Sequence, residues 1–439
     1  MERQELSDIL QQNGIVGAGG AGFPTYGKLD ERAETIILNC AECEPLLRLH
    51  RQLLEKHAGE IVETFHMIGE TLGAKDVVIG IKEAYKETIE ALNQVVADYK
   101  NVRLGLLEEV YPAGDEVVLI YEVTGKVIRP GVLPIESGIA VFNVETVYNI
   151  YRALHNEPVI EKLVSVVAEV ENPITVKVPI GTSLEEVVKM AGKTTVNNPV
   201  YFVGGPMMGS IGSKFQPVTK TTNGILVLPQ DHLLVQKKNS NSSIDLKRAA
   251  ACCCNCSMCT DLCPRNRLGH PIEPHKFMQA ATCKDVQNPD IFVNTYFCSS
   301  CGLCEMFSCF QGLSPRTLMT EYKGKLRGRG VPMPKVEAKG VGPEREFRKV
   351  PMERLMARLD LTKYDKEAPL KEEVPDTKRV KILMSQHIGA PAIPRVTKGD
   401  KVKKGDVVGA MGKGLSVNIH ASIDGTICEV NDKYVMIEA

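Results

Sequence analysis

The chain has 439 residues, of which 43% are hydrophobic and 24% charged, and its formal net charge is −1. This composition is typical of a globular protein with several domains, and it excludes a bulk electrostatic preference for nucleic acid or an anionic membrane surface. The N-terminus has no apolar signal core, and no segment approaches the ~18 apolar residues that span a bilayer, so we predict a cytoplasmic protein without a membrane span.

Residues 14–28, GIVGAGGAGFPTYGK, form a glycine-rich segment. Glycines at this density let the backbone approach a phosphate or a flat ring closely and present N–H groups to it. A glycine-rich loop without a ligand is the alternative, because a lone pattern of this kind has little specificity. The residues that follow predict helices over 61–74 and 82–99 and strands over 75–81 and 102–108, in the order of a βαβ fold.

Two segments in the middle of the chain predict smaller features. Residues 163–212 alternate in hydrophobicity like short strands and then carry one helical pattern. The polar run QKKNSNSSID, residues 236–245, indicates a linker to the region that follows.

Eleven of the 14 cysteines lie between Cys252 and Cys309, whereas disulfide scaffolds usually spread cysteines through short secreted chains. The first run, C-x2-C-x2-C-x3-C-P, has the spacing of a bacterial [4Fe-4S] site whose fourth cysteine ligates a neighbouring cluster. The second run ends in a four-residue gap, and Phe310 stands where proline is usual. A pair of zinc sites is the alternative, but C-x2-C-x2-C is not tetrahedral zinc spacing.

The cross-ligation rule divides eight of these cysteines into two sets. The first cysteine set comprises Cys253, Cys256, Cys259 and Cys309. The second cysteine set comprises Cys263, Cys298, Cys301 and Cys304. Three cysteines remain over and are predicted to be small buried hydrophobes or adventitious thiols, namely Cys252, Cys254 and Cys283.

The C-terminal part of the chain predicts a connector and a small β domain. Residues 323–349 are basic and punctuated by proline and glycine, which indicates a solvated tether, with a docking patch for an acidic electron carrier as the alternative. Residues 379–439 predict short strands with Gly–Asp turns at Gly399 and Gly405, and IHASIDGTI resembles the closing strand of a biotinyl/lipoyl-type barrel-sandwich. The hairpin at Lys413 reads Gly-Lys-Gly, so we do not predict a modified lysine there.

Several strings carry a resemblance to a known family. GAGGAGFPTYGK, NCAECEP, YPAGDEVVLI and FNVETV stand in the order, and at about the intervals, seen in the flavin-bearing NADH subunit of respiratory complex I and in the RnfC component of the Rnf complex. The resemblance continues through TGKVIRPGVLP, GGPMMG, both cysteine runs and SQHIGAP, and so covers most of the chain. The C-terminal position of SQHIGAP and the four-residue cysteine gap resemble most closely the corrinoid reductase family of the propanediol-utilisation microcompartment.

The resemblance implies an FMN site and the residues that form it. The glycine loop with Lys28 would cradle the phosphate and the ring, while the carboxylates of Glu42 and Glu44, the predicted catalytic residues, would lie near the flavin and the nicotinamide nucleotide. Asp115 stands where the complex I pattern has glutamate, which shortens the reach of the carboxylate. The predicted cofactor-binding residues are Gly17, Gly19, Gly20, Gly22, Phe23, Lys28, Asn39, Gly114, Asp115, Glu116, Asn143 and Thr146.

Three further residues in the family strings receive plain structural interpretations. Cys40 and Cys43 form a C-x2-C in the NCAECEP loop, and we predict inert thiols, because no neighbouring cation is evident to lower the pKa. His387 in SQHIGAP is predicted to be an ordinary hydrogen-bonded histidine and not a ligand of cobalt or iron.

We predict a multidomain α/β protein, and the resemblance implies what each unit is. The predicted units are a Rossmann-like FMN/NADH domain at 1–160, an SLBB β-grasp module at 161–235, a helical ferredoxin-like domain with two [4Fe-4S] clusters at 246–320, a linker at 321–378 and an RnfC-like barrel-sandwich hybrid domain at 379–439.

The resemblance implies an oxidoreductase that takes electrons from NADH and delivers them to a one-electron acceptor, a cobalamin, through FMN and two [4Fe-4S] clusters. It also implies a place inside a bacterial microcompartment, with a corrinoid enzyme, a shell protein or ferredoxin as partner. An Rnf-like bridge to ferredoxin or another reductase is one alternative function. A cluster-bearing scaffold without NADH turnover is the other.

Overall fold

A four-stranded parallel sheet, ordered β3-β2-β1-β5, organises the N-terminal domain in the computed structural model, which describes residues 1–283 and 288–439. The strands of this region are β1 (Thr35–Cys40), β2 (Asp76–Lys82), β3 (Val102–Leu107), β4 (Val110–Tyr111) and β5 (Ile139–Asn143). The apolar residues of β1 are fully buried because helices cover both faces of the sheet. Because β1 lies between β2 and β5, the loops that follow β1 and β5 meet at the same sheet edge, where open α/β sheets bind ligands.

The helices of this domain include the two predicted over 61–74 and 82–99, with shifted ends. The helices are α1 (Arg3–Gln12), α2 (Leu49–Lys56), α3 (Ala58–Leu72), α4 (Lys86–Val96), α5 (Glu116–Thr124) and α6 (Val144–Leu154), with 3₁₀ turns at Thr25–Lys28 and Pro134–Ser137. The helix predicted over 82–99 begins only at Lys86, because β2 continues to Lys82 in register with β3.

A mixed six-stranded sheet, ordered β12-β7-β6-β10-β8-β9, forms the second unit. Its strands are β6 (Glu161–Ala168), β7 (Ile174–Pro179), β8 (Val200–Val203), β9 (Ser210–Gly212), β10 (Gly224–Leu228) and β12 (Leu370–Lys371). One helix, α7 (Leu184–Lys189), begins at a capping box in which Ser183 and Glu186 exchange hydrogen bonds. The turn just before β10 contacts the N-terminal domain, since Lys220 Nζ donates to the Gly14 carbonyl.

Short helices build the cysteine-rich region. They are α8 (Leu233–Lys238), α9 (Ser242–Cys252), α10 (Met258–Asp261), α11 (Pro264–Arg267), α12 (Pro274–Cys283), α13 (Asp290–Val293) and α14 (Pro315–Gly328), with a 3₁₀ turn at Asn294–Phe297 and a π turn at Cys304–Ser308. The linker predicted at 236–245 is wrong in extent, because α8 and α9 leave only residues 239–241 between them. Asn241 caps α9, since its side chain accepts from Ser243 N–H.

The segment predicted as a plain linker, 321–378, is packed against three other units. Its β11 (Val350–Pro351) pairs with β4, and its β12 pairs in parallel with β7 of the six-stranded sheet. The intervening α15 (Met352–Arg358) contributes Leu355 to a fully buried core, as do Leu359 and Leu361 beyond it. These contacts lie at 350–371, beyond the tether predicted at 323–349, so this later part of the predicted linker is folded.

The C-terminal domain consists of two small antiparallel sheets. Its strands are β13 (Arg379–Leu383), β14 (Ile393–Pro394), β15 (Lys401–Val402), β16 (Val407–Ala410), β17 (Ile419–His420), β18 (Gly425–Asn431) and β19 (Tyr434–Glu438). The sheets are ordered β13-β19-β18-β15 and β14-β16-β17 and enclose one apolar core. Within the described residues, no helix is both long and apolar enough to cross a membrane.

Candidate functional site

The glycine-rich segment is folded against the N-terminus of α6. Gly17 N–H donates to the Phe23 carbonyl, which closes the loop on itself, and Ala18 N–H donates to Thr146 Oγ1 at 2.9 Å. Asn143 caps α6 by accepting from Thr146 N–H. Gly20 has a φ of +74°, a left-handed conformation that favours glycine, and a Cβ there would meet no atom within 4 Å. The backbone of the loop is therefore not covered by side chains where it borders an open space.

That space is a cavity of about 450 Å³ at the carboxyl ends of β1 and β5. Twelve of the predicted site residues line it: Gly17, Gly19, Gly20, Phe23, Lys28, Asn39, Glu42, Glu44, Gly114, Glu116, Asn143 and Thr146. A helix N-terminus and a glycine loop that share one cavity are the elements with which proteins bind a phosphate. The roles of the individual residues remain predictions.

Two of the predicted residues lie outside the cavity lining. Gly22 faces the C-terminal domain, since a Cβ on it would stand 3.0 Å from the Gln386 carbonyl. Asp115 caps α5 and forms an ion pair with Arg265 of the cysteine-rich region, with 2.9 Å between Oδ1 and an Nη nitrogen. Both side chains of this pair are largely buried. Asp115 thus joins two domains, and its carboxylate is already paired.

Glu42 is fixed at the cavity by backbone contacts. Its carboxylate accepts from His50 N–H at 2.9 Å and from Arg51 N–H, and its own φ of +34° turns the loop sharply after β1. Burial raises the pKa of Glu42 above its usual range, although both N–H donors oppose the shift. The same burial lowers the pKa of the His50 imidazole to about 3, so this ring is neutral near pH 7.

Glu44 joins the cavity to the six-stranded sheet. Its two carboxylate oxygens accept from Met207 N–H at 2.8 Å and from Met208 N–H at 3.0 Å, in the GGPMMG loop. Gly205 approaches so closely that a Cβ there would collide with the carboxylate. Burial raises the pKa of Glu44 to about 7, so proton occupancy of this side chain varies near neutral pH.

A second cavity of about 230 Å³ adjoins the first. Phe23, Lys28, Glu116 and Val141 line both spaces, and the rest of the second lining is mainly apolar. Lys28 Nζ donates to the Val141 carbonyl at 2.7 Å. Burial lowers the pKa of Lys28, while the carboxylate of Glu116 opposes this shift. The two cavities are therefore neighbours that share one wall.

Sequence reasoning missed several residues of the cavity lining, among them His50, Met208 and Asn223. His50 follows NCAECEP closely enough that its place after β1 was a usable signal. Met208 and Asn223 belong to the six-stranded sheet unit, and nothing in their local sequence indicates that they return to a cavity of the N-terminal domain. The cavity is therefore built from two domains.

The cysteines surround two further cavities, one for each predicted set. The first is lined by all four thiols of the first cysteine set, together with Cys254 and Phe310. The second is lined by all four thiols of the second cysteine set. The structure thus brings Cys309 to the first run and Cys263 to the second, which is the exchange that the cross-ligation rule predicts.

The donor chemistry of these cavities fits iron–sulfur clusters. Burial, together with neighbouring thiols of the same set, raises the pKa of Cys259 to about 12 and that of Cys263 to about 11. A bound cationic cluster would stabilise such thiolates. In the described part of the chain, no three His, Cys, Asp or Glu side chains converge as ligands of a single ion would.

The remaining cysteines fall into two environments. Cys252, Cys254 and Cys283 are exposed, so of the two interpretations offered for them the buried one is wrong. Cys40 is buried in the sheet, and burial raises the pKa of Cys43 to about 12, although the Lys82 ammonium nearby opposes this shift. A cation that the sequence pattern does not reveal is therefore present beside Cys43. Its effect on the pKa is smaller than that of burial.

The second cysteine set lies close to the cavity at the carboxyl ends of β1 and β5. Tyr111 Oη donates to the Cys301 carbonyl, and a Cβ on Gly302 would stand 3.4 Å from the Met207 carbonyl. Met207 is the neighbour of Met208, which lines the cavity, and it packs in one core with Leu303. By contrast, Cys256 of the first set is exposed.

His387 Nδ1 lies 3.0 Å from the Ile388 carbonyl oxygen. Its Nε2 is buried without a hydrogen-bond partner among the described residues. Burial lowers the pKa of the ring, as does the ammonium of Lys220 nearby. The prediction of an ordinary histidine therefore stays a prediction.

Comparison with known families assigns a domain type to each unit. The chain matches the Nuo51 FMN-binding domain over residues 10–152, the SLBB domain over 163–210, the 4Fe-4S dicluster domain over 252–314 and the RnfC barrel sandwich hybrid domain over 360–439. One solved chain of similar fold, at a TM-score of 0.50 and 18% identity, comes from a crystal structure of an NAD⁺-reducing [NiFe]-hydrogenase in the H2-reduced state, with 75% of this chain and 63% of that one covered. The fold and these domains define a flavin and iron–sulfur oxidoreductase.

Similarity to individual proteins identifies the family within this class. The chain is 39% identical to cobalamin reductase PduS of Salmonella typhimurium over 443 residues, which covers all of this chain and 97% of that protein. It is 34% identical to the C component of the ion-translocating oxidoreductase complex of Edwardsiella ictaluri over 270 residues, which covers 60% of this chain and 32% of that one. The chain therefore belongs to the cobalamin reductase PduS family, and the predicted resemblance and fold class are confirmed.

Proposed function

We propose that this protein takes electrons from NADH at an FMN held in the cavity of the N-terminal domain and delivers them to a cobalamin through two [4Fe-4S] clusters. The observation that carries the NADH step is the pair of adjoining cavities, which share Phe23, Lys28, Glu116 and Val141. The first offers a glycine loop and a helix N-terminus for a phosphate, and the second offers apolar walls for a further ring. A flavin beside a dinucleotide needs both.

A bound flavin would convert the two electrons of one hydride into single electrons, and the chain's residues would supply its binding and orientation. The loop from Gly17 to Phe23 would hold the phosphate, and Lys28 would add a positive charge. His50 is neutral near pH 7, so it would add no positive charge for the phosphate. It is suited to a hydrogen bond at the cavity wall. Glu42 and Glu44 line the first cavity only, and Glu44 binds the GGPMMG loop, so they would orient the part of the nicotinamide nucleotide that reaches the flavin.

The two cysteine sets would hold one [4Fe-4S] cluster each, and this count is part of the proposal. The contact of Gly302 with Met207 supports a short distance between the second set and the flavin cavity. The Asp115–Arg265 ion pair would hold the two domains in that register.

The corrinoid acceptor is supported by family membership, since the relatives that match this chain over its whole length are named cobalamin reductases. A cytoplasmic location, inside a bacterial microcompartment, belongs to the same proposal. A bridge to ferredoxin is the second candidate, because the ion-translocating oxidoreductase components also match more than half of the chain.

Anaerobic stopped-flow spectroscopy tests this function. NADH added to the full-length protein is expected to bleach the flavin absorbance first and the broad cluster absorbance next, and cob(III)alamin added afterwards is expected to restore both. NADPH and ferredoxin serve as the alternative donor and acceptor. If neither nucleotide bleaches the flavin, the protein is a cluster-bearing scaffold. Fast bleaching with transfer to ferredoxin but not to the corrinoid would instead identify the Rnf-like bridge.

A further inference from the structure

Asn223 adjoins β10 of the six-stranded sheet, beyond residues 163–210 that match the SLBB domain, yet it lines the flavin cavity of the N-terminal domain. It stands just before β10, and its backbone carbonyl accepts from Ser165 N–H at 3.0 Å in the adjacent strand β6. The main chain of Asn223 is therefore part of one domain, while its amide faces the ligand space of another.

The amide of Asn223 approaches the glycine loop beside the cap of α6. A Cβ built on Gly19 would stand 3.8 Å from Nδ2 of Asn223 and 3.3 Å from Nδ2 of Asn143. Two amide side chains from two domains thus flank the same bare segment of backbone. The N-terminus of α6, which Asn143 caps, points its partial positive charge to this place.

The segment that carries Asn223 is held from several sides. Thr219 and Thr222 exchange hydrogen bonds across the turn, with Thr219 N–H donating to Thr222 Oγ1 at 3.0 Å. Lys220 Nζ donates to the Gly14 carbonyl at 2.6 Å, and Lys220 N–H donates to Gln386 Oε1. The turn is therefore fixed to the base of the glycine loop and to the C-terminal domain, so the amide is positioned before a ligand arrives.

The amide itself has capacity left for a ligand. Oδ1 of Asn223 is buried and has no hydrogen-bond partner among residues 1–283 and 288–439. Buried polar atoms are normally hydrogen-bonded, so an unpaired one that lines a cavity indicates a place for a polar ligand. A phosphate oxygen only accepts, so its partner on this side chain would be Nδ2, which carries two N–H donors and already lies beside Gly19.

The charge at this end of the cavity suits a phosphate. The side chains next to Gly19 are the amides of Asn143 and Asn223, and Thr146 provides a hydroxyl nearby. Glu145 in the first turn of α6 is neutralised by an ion pair with buried Lys162. We propose that Asn223 is a positioning residue that donates to the phosphate of FMN, so that the six-stranded sheet unit completes the flavin site. This inference rests on the proposed function.

The test compares FMN with riboflavin, which lacks the phosphate. Both are titrated into the full-length, cluster-loaded chain after flavin removal, and binding is followed by quenching of flavin fluorescence. Asn223→Ala is expected to weaken FMN about tenfold, the effect of one hydrogen bond to a charged group. Asn223→Asp, nearly the same shape but anionic, is expected to weaken FMN about a hundredfold, because it adds repulsion. Riboflavin affinity is expected to change less than about twofold in either variant.

A matched substitution separates phosphate contact from general damage. Asn197→Asp introduces the same charge at an exposed position of the same domain, and it is expected to leave both affinities unchanged. Equal weakening of FMN and riboflavin by Asn223→Asp would overturn the phosphate contact, as would no weakening of either. A wild-type chain that binds no FMN would overturn the proposed function and this inference together. Iron content, measured in every variant, reports whether the fold is retained.

Discussion

The two cysteine sets and the flavin cavity differ in how their binding residues are distributed along the sequence. All eight cysteines of the two sets lie within residues 253–309, and their roles can be inferred from local spacing. The flavin cavity collects residues from Gly17 to Asn223 and depends on two domains. The first arrangement tolerates changes elsewhere in the chain, whereas the second changes when either domain shifts. A substitution in one region should therefore spare the other, unless it lies where they meet.

The largest expected effect is the loss of a cluster from the first cysteine set. Cys256→Ser removes one of four thiolates and should reduce the iron content from about eight to about four per chain, with matching loss of sulfide. Flavin should remain stoichiometric, because the FMN domain has its own core. Iron and sulfide assays of protein purified without air, together with the flavin spectrum, measure both.

Cys254→Ser provides the control for that experiment. Cys254 is exposed and lines the same cavity, but it lies outside the predicted ligand set. Its substitution should leave all the iron in place. Loss of iron from Cys254→Ser with retention in Cys256→Ser would show that the ligand assignment is wrong, and two zinc ions in place of iron would exclude the clusters.

The second prediction concerns the glycine loop. Gly20→Val places a branched side chain at a φ of +74° and projects it into the cavity, so FMN should be lost while both clusters remain. Gly73→Val is the matched control, because Gly73 has a φ of +70° and open space around its Cβ position but lies outside the cavity lining. The two variants carry similar backbone strain. Stoichiometric yellow flavin in Gly20→Val would contradict the loop assignment.

The same contrast between local and distributed binding residues explains which parts of the site could be predicted from the sequence. The glycine loop could be inferred from its composition, and Asn143 and Thr146 from a local string shared with the family. Asn223 could not, since its role depends on how β10 packs beside β6 and on a turn held by Lys220. Asp115 was expected in the cofactor site, and no local pattern indicates that its carboxylate is paired with Arg265.

The linker predicted over 321–378 shows the same limit on a larger scale. Its charges and its prolines dominate its composition, yet Leu355 and Leu361 are completely buried and β12 extends the SLBB sheet. Short strands of two residues leave no periodicity to detect. Contacts made by few residues over long separations are therefore the part of this fold that local patterns miss.

Glu44 lies at the junction of the two domains and provides the smallest of the three expected effects. Its carboxylate holds the GGPMMG loop through Met207 and Met208, which connects the cavity to the core that contains Leu303 of the cysteine-rich region. Between pH 4.5 and about 7 the folded protein retains a proton on Glu44 that the unfolded chain releases. The stability from this proton is full below pH 4.5 and is lost as pH rises through about 7.

Glu44→Gln should remove this pH dependence, because the amide does not titrate. We expect the melting temperature of the wild-type protein to fall more steeply between pH 5.5 and 7.5 than that of the variant, by an amount that corresponds to roughly 2 kcal/mol in the free energy of unfolding. Glu90→Gln, at an exposed position of α4, should follow the wild-type curve. Parallel curves for the wild type and Glu44→Gln would mean that the carboxylate stays ionised in the fold, and that the two backbone N–H donors outweigh its burial.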